Sequence, residues 1–319
     1  MSRRVLAAAT AALVAVGLAA CSPEESATET SGSEGADAQV GADLDVAAYD
    51  AVIASGPVAD DATVEANAWA SAVREAGVLE VGGTETSNLF SLLDPTADGT
   101  VRGFDAGLSQ LLSQYILGEV STELTQVSVD TREELLVNGD VDTVFATYSI
   151  TPERAERVGF AGPYYSSQAG ILVNADNEEI TSLEDLAGKT VATQAGSTGE
   201  TLLESEAPEA EILALPDHAQ ALEAVINGNA DAYVIDETLL LNAVLAQGGT
   251  VKIVGDSFGP EDLYGIGVPL ESDAVEFINA FLEQIEADGV WEELWQVTIG
   301  DRTGVDTAPD APTPGETGL

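Results

Sequence analysis

The chain of 319 residues has one cysteine, one histidine, and only 10 lysines and arginines against 56 aspartates and glutamates. Each scarcity excludes something. The single cysteine, Cys21, makes no disulfide within the chain, so the fold must stand on its apolar core alone. One histidine and one cysteine supply no metal-ligand spacing. His218 has no serine or carboxylate at the spacing of a catalytic motif, which leaves it reading as a loop residue. A formal charge of −46 repels nucleic acid and anionic lipid, so neither is expected as a partner. The acidic residues are spread along the chain rather than clustered, the pattern of a solvated coat suited to a salty medium. There is no phosphate-binding loop or dinucleotide fingerprint, since "VGGTETS" lacks the helix that a phosphate cradle requires. No cofactor or metal is expected.

What is present is apolar enough to fold. Hydrophobic residues make up 45% of the chain, and its length suits two packed domains. The opening "MSRRVLAAATAALVAVGLAAC" has two arginines and then an apolar run, Val5 to Ala20, that is short for a spanning helix and flanked as a secretory signal. "LAAC" is similar to the lipobox of bacterial lipoproteins. That likeness implies a signal peptide over residues 1–20, lipidation at Cys21, and attachment to the outer face of the cell membrane through that lipid. The arginine pair leaves the export route open between the general and twin-arginine systems. Residues 21–44, rich in Ser, Glu, Thr, Gly and Ala, read as a flexible acidic tether, and residues 301–319 as a disordered tail. Between tether and body, residues 45–77 carry two short helical patterns, the second capped by Asp61 or Thr63 and ended by Gly77.

From residue 78 the chain alternates strand and helix. "VLEVGG", "LTQVSV", "VDTVFATYSI", "QAGILVN", "TVATQAG", "ADAYVID" and "LYGIGVP" read as strands, and "GFDAGLSQLLSQYILG" as an amphipathic helix. Such alternation predicts an α/β fold with largely parallel sheets covered on both faces, and a ligand at the carboxyl ends of the strands. Trp291 and Trp295, four apart in a closing helix, read as core.

One unit occurs twice. "NGDVDTVFATYSITPER" begins at Asn138 and "NGNADAYVIDETLL" at Asn227. With Asn138 laid on Asn227, Asp142 falls on Asp231 and Thr147 on Asp236. In each copy an apolar helix ends at Asn-Gly, which suits a left-handed cap, and a short apolar strand follows. Asp142 and Asp231 read as turn braces. Two lobes facing each other would present Thr147 and Arg154 from one side and Asp236 from the other. Arg154 can hold a carboxylate bidentately and Asp236 can take an ammonium, so the pair suits an amino-acid zwitterion. Pairing of Arg154 with Glu153 or Glu156 on the surface is the alternative.

Over about residues 78 to 300 the chain resembles the family 3 extracellular solute-binding proteins, receptors for polar amino acids that serve ABC importers. "VRGFDAGL", "VDTVFATYSITPERAERVGFAGPYY", "SLEDLAGKTVATQAGST", "DAYVID" and "DGVWEELW" match the family's motifs in order and spacing. "ATYSI", "GPYY" and "YGIG" are most similar to the glutamate-binding branch. The resemblance implies a periplasmic-binding-protein-like fold of two α/β lobes joined by a two-strand hinge, with the ligand in the cleft. Lobe 1 would be residues 78–168 plus 260–300 and lobe 2 residues 169–259, with crossings near Ser166–Gly170 and Ile253–Tyr264.

It also implies roles. Arg154 matches the position that holds the ligand α-carboxylate. Thr147, Ser149 and Asp236 match positions that receive the α-ammonium. Gln194, Ser197 and Thr198 match a second-lobe loop that reaches the carboxylate and the ligand side chain. Thr84 and Ser87 match ligand-facing positions of the first lobe. Apart from the resemblance, Arg102, just before "GFD", reads as a plain loop residue ahead of the other reading, a second cationic contact for a side-chain carboxylate. Thr84 stands where the family often has aspartate, and Ser87 and Val129 near where it has aromatics, which implies a polar cleft. The implied protein is not an enzyme. It is a monomeric receptor that captures glutamate, glutamine or aspartate by hinge closure and passes it to an importer permease. The alternatives are a cleft enzyme similar to cyclohexadienyl dehydratase, with Glu85 as its acid/base, and a sensory ligand-binding module.

Overall fold

Two strands are far longer than the rest, and they organise the molecule. In the computed structural model, which describes residues 43–94 and 98–319, Gly159–Asn174 forms one strand of 16 residues and Val251–Val268 another of 18. The proposed signal peptide, Cys21 and the tether up to residue 42 lie outside the described residues. Along the chain, helices α1 (Val46–Ser55), α2 (Asp61–Glu65) and α3 (Ala68–Ala76) lead into β1 (Leu79–Gly83). A small antiparallel sheet of β2 (Thr86–Ser87), β3 (Ser91–Leu93) and β4 (Val101–Arg102) follows. Then come α4 (Phe104–Leu117), β5 (Thr122–Gln126), α5 (Arg132–Asn138), β6 (Thr143–Phe145) and α6 (Pro152–Ala155). Strand β7 (Gly159–Asn174) crosses to the second lobe, made of β8 (Thr190–Gln194), α7 (Thr198–Glu206), β9 (Glu211–Leu215), α8 (His218–Ile226), β10 (Ala232–Asp236) and α9 (Glu237–Gln247). Strand β11 (Val251–Val268) returns, and α10 (Ala274–Ala287) and α11 (Val290–Trp295) close the first lobe.

The strand order is β5-β1-β6-β11-β7-β10-β8-β9, continuous through the two long strands. Strand β1 pairs parallel with β5 and β6, and β8 parallel with β9 and β10, as expected, but β7 pairs antiparallel with β10 and β11 antiparallel with β6, so the sheet is mixed. The antiparallel pair β7·β11 was not legible as such. Its register breaks between Val254 and Phe258 and again between Phe258 and Asp262, so the ladder is irregular where the chain passes between lobes. That crossing agrees with the two-strand hinge, and the fold is the two-lobed periplasmic-binding-protein-like one.

The doubled unit has one physical cause. Gly139 (φ 75°) and Gly228 (φ 72°) both adopt the left-handed conformation that ends the preceding helix. Asp142 Oδ2 then accepts from the Glu80 N–H at 2.9 Å, and Asp231 Oδ2 from the Thr190 N–H at 2.9 Å. Each aspartate therefore ties its strand to the start of a parallel neighbour. What differs between the copies is the polar residue delivered at the far end.

Three expectations change. Residues 45–77 form three helices, because Asn67 caps a new one, α3; Asp60 rather than Asp61 or Thr63 caps α2, while Gly77 ends α3 in the left-handed conformation. These helices are built into the first-lobe core through Tyr49, Val64, Trp69 and Val73. The tail is not loose. Ala308 and Ala311 pack on the first-lobe core, and the Gly315 N–H donates to the Gly162 carbonyl at 2.7 Å. Its small residues and prolines let it lie flat against the body, where composition alone reads as disorder. His218 is not in a loop: it is the first residue of α8, half-buried, with Nδ1 3.0 Å from the Tyr233 hydroxyl. Trp291 and Trp295 are core residues, as read, and the Trp291 indole donates to the Tyr164 carbonyl at 3.0 Å.

A candidate ligand site between the lobes

A cavity of about 530 Å³ opens where the strand ends of the two lobes face each other. Its lining includes Thr84, Ser87, Thr147, Ser149 and Arg154 from the first lobe and Gln194, Ser197, Thr198 and Asp236 from the second. Arg102 is not among the lining residues. Its guanidinium donates to both carboxylate oxygens of Asp98, at 3.0 and 2.8 Å, and reaches Asp50 at 3.4 Å. Glu85 does not line the cavity either.

Arg154 sits in α6, which starts with Thr151 as cap and Pro152 in its first turn. Only 8% exposed, it forms no ion pair with Glu153 or Glu156. Its Nη1 donates to the Ser149 carbonyl at 2.8 Å and its Nη2 to the Gly196 carbonyl of the opposite lobe at 3.2 Å. A guanidinium has five N–H donors, so two bonds to carbonyls leave others for a ligand. Thr147, at the end of the same strand segment, has φ 42°, an uncommon conformation for a β-branched residue.

On the other wall, Asp236 ends β10 at the cap position of α9, yet its side chain does not cap that helix. It is 5% exposed, and burial together with the neighbouring Asp262 pushes its carboxyl well above the usual carboxylate range, against the pull of Tyr264 and Arg154. Ser197 caps α7: its hydroxyl donates to the Gln194 carbonyl at 2.7 Å and accepts from the Glu200 N–H at 3.2 Å. That hydroxyl is committed to the loop. The Ser87 hydroxyl accepts from Asn242 Nδ2 at 2.9 Å, while Asn242 Oδ1 accepts from the Leu89 N–H at 2.7 Å. Asn242 thereby anchors the first-lobe loop to α9.

Two residues in and behind the cavity escaped the sequence reading. Arg132 opens α5, lines the cavity at 4% exposure, and lies 3.8 Å from the centre of the Tyr148 ring. Its Nη1 donates to the Ala146 carbonyl at 3.0 Å, and its buried Nε has no hydrogen-bond partner. Burial and the nearby Arg154 pull its pKa down to about 9. A cation in the first turn of a helix opposes the helix dipole, and that conflict was the available signal. Asp262, on β11, accepts at Oδ2 from the Ser149 hydroxyl at 3.0 Å and from the Thr198 hydroxyl at 2.9 Å.

Two α/β lobes on a two-strand hinge, with a polar cleft between them carrying buried guanidinium groups on one wall and a buried carboxyl group on the other, define a solute-binding protein. The chain belongs to the bacterial extracellular solute-binding proteins, family 3, whose model matches residues 79–299. It is 31% identical over 232 residues to the ABC transporter glutamine-binding protein GlnH of Bacillus subtilis, covering 72% of this chain and 84% of that protein. It is also 31% identical over 220 residues to the glutamate-binding protein GluB of Corynebacterium efficiens, covering 65% of this chain and 74% of that one. Among solved structures, an ancestral amino acid-binding protein that is a precursor of cyclohexadienyl dehydratase superposes with a TM-score of 0.64 at 30% identity, covering 71% of this chain and 97% of that one. Among the described residues no helix is long and apolar enough to cross a membrane, and no group of three or more His, Cys, Asp or Glu could hold a metal ion.

Proposed function

We propose that this chain is the receptor of an ABC importer and that its cleft takes an L-amino acid with an anionic side chain, glutamate first. The observation that carries this is the charge layout of the cavity: Arg154 and Arg132 buried on one side, Asp236 on the other. Arg154 takes the α-carboxylate and Asp236 the ammonium. Arg132 is a second buried guanidinium lining the same cavity, and with Nη1 on the Ala146 carbonyl it keeps further N–H donors for a side-chain carboxylate. The first turn of α7, at Thr198, adds backbone N–H groups and the positive end of a helix dipole. The cavity falls within the roughly 300–1,000 Å³ of small-molecule sites. It contains no Phe, Tyr or Trp side chain, in keeping with a polar ligand. Ligand contacts to both lobes favour the closed hinge. Lipidation at Cys21 and the tether would hold the exported monomer near the importer permease. An enzymatic role lacks its nominated carboxylate, because Glu85 stays out of the cavity. A thermal-shift panel of the proteinogenic amino acids tests the reading: L-glutamate should give the largest rise in melting temperature, since a ligand that binds only the native state stabilises it. No rise with any amino acid would sink it.

A further inference from the structure

We propose that Asp262 is a positioning residue of the cleft: by taking the hydroxyl protons of Ser149 and Thr198, one from each lobe, it leaves both hydroxyl oxygens facing the cavity as acceptors, which select an ammonium and turn away a carbonyl or carboxylate. The inference rests on the reading that the cleft holds an amino acid, and it adds a residue that does not itself line the cavity.

The argument is a count of protons. Each hydroxyl has one proton and two lone pairs, and an ionised carboxylate only accepts. Both hydroxyls lie within hydrogen-bond distance of the same oxygen, Oδ2 of Asp262, at 3.0 and 2.9 Å. Even a protonated Asp262 could donate to only one of them, so at least one hydroxyl must donate. With Asp262 ionised, both do. The oxygens of Ser149 and Thr198 then offer the cavity lone pairs alone.

The fold fixes this arrangement. Ser149 forms an antiparallel bridge opposite Tyr264, with the Ile150 N–H donating to the Leu263 carbonyl at 2.8 Å and the Gly265 N–H to the Tyr148 carbonyl at 2.9 Å. Asp262 lies two residues before Tyr264 on the same strand, opposite Ser167 of β7. Thr198 is placed by the cap of α7. The charged and titratable groups near Asp262 are Asp236 and Tyr264, with Arg154 beyond Asp236. Asp236 is the more buried carboxyl, and burial pushes it above the usual carboxylate range, whereas Asp262 lies within reach of two hydroxyl donors. Both hydroxyls converge on the one oxygen, Oδ2, so Asp262 is placed as their common acceptor.

One consequence revises the role given to Thr198. Its hydroxyl is not available to donate to a ligand carboxylate; only its backbone N–H is.

The test compares L-glutamate with 2-oxoglutarate, the same skeleton with a carbonyl oxygen in place of the ammonium. Calorimetric titrations would use the wild type, Asp262→Asn and Asp262→Ala. The amide oxygen of asparagine can accept both hydroxyls while its NH2 faces Asp236, so Asp262→Asn should keep the wild-type ratio of dissociation constants within about threefold. In Asp262→Ala the freed hydroxyls can donate to the keto oxygen, and the ratio should fall by about tenfold or more. A ratio unchanged in Asp262→Ala, with both ligands weakened equally, would reduce Asp262 to an interlobe brace and overturn the proposal. Should Asp262→Ala fail to fold, Thr198→Val removes one acceptor and should cost L-glutamate more than 2-oxoglutarate; equal losses overturn the proposal as well. A wild type that binds neither compound, nor any other amino acid, overturns the amino-acid reading and this inference with it. A wild type that binds L-glutamate while Asp262→Ala leaves the ratio intact overturns the inference alone.

Discussion

The Thr147 N–H donates to Oδ2 of Asp105 at 2.8 Å, and that bond anchors the residue whose backbone turns into the cleft at φ 42°. The other oxygen of Asp105 accepts from the Tyr164 hydroxyl at 2.8 Å. Burial pushes this carboxyl up to about 7, against both donors. The native state thus binds a proton that the unfolded chain has already released, between the ordinary aspartate pKa near 4 and about 7. The proton's contribution to stability is present at the acidic end of that window and lost as pH rises through it. Asp105→Asn should flatten the fall in unfolding free energy between pH 4 and 7, an effect on the order of 4 kcal/mol at the limit, read by denaturant titration across that range. A wild-type profile as flat as the variant's would refute the assignment. Asp105→Ala, which frees the Thr147 N–H, should weaken ligand binding as well.

Asp236 makes a second pH prediction. Its carboxyl is held above the carboxylate range by burial and by Asp262, with Tyr264 and Arg154 pulling it down. An ammonium placed against it favours the ionised form, so ligand binding should expel a proton over the window between the ordinary carboxylate pKa and the raised one. Titrations in buffers of different ionisation enthalpy would detect that release, and Asp236→Asn should abolish it. Equal proton release in the variant would assign it elsewhere.

The charge of −46 opposes the approach of an anionic ligand. At low salt the repulsion reaches about 30 Å, and at 0.1 M about 10 Å. The association rate of L-glutamate, followed by stopped-flow fluorescence, should therefore rise as salt is raised from low values. A flat or falling trend counts against an anionic ligand.

Arg132 bears on the choice between an anionic and a neutral side chain. Arg132→Gln should cost L-glutamate about 1.5–3 kcal/mol, the worth of a hydrogen bond to a charged group, and cost L-glutamine less. Competition binding of the two amino acids reads this directly. Equal losses would remove Arg132 from the ligand side chain.

Much of the cleft was legible in the sequence because its residues sit at strand ends, where motif spacing fixes position. Thr147 and Asp236 occupy equivalent ends of the doubled unit, and Asp142 and Asp231 brace it as read. What stayed hidden depends on pairing between distant segments. Asp262 lies in "GPEDLYG", inside the stretch expected to cross between the lobes, but nothing in the sequence pairs it with Ser149, 113 residues earlier. Arg132 reads as an ordinary surface residue of a short helix until burial is known. Arg102 shows the converse: adjacency to a family motif drew attention to a guanidinium that Asp98 and Asp50 already occupy. The three-stranded β2–β3–β4 sheet is too short and too irregular in pattern to be seen in the sequence.

The account turns on a guanidinium and a carboxyl group from opposite lobes holding one zwitterion. Titration of L-glutamate into the wild type and into Arg154→Ala tests this most directly. A measurable affinity in the wild type and a loss of about 2–5 kcal/mol in the variant are expected, with the variant's fold intact by circular dichroism. Affinities within about twofold of each other would contradict it.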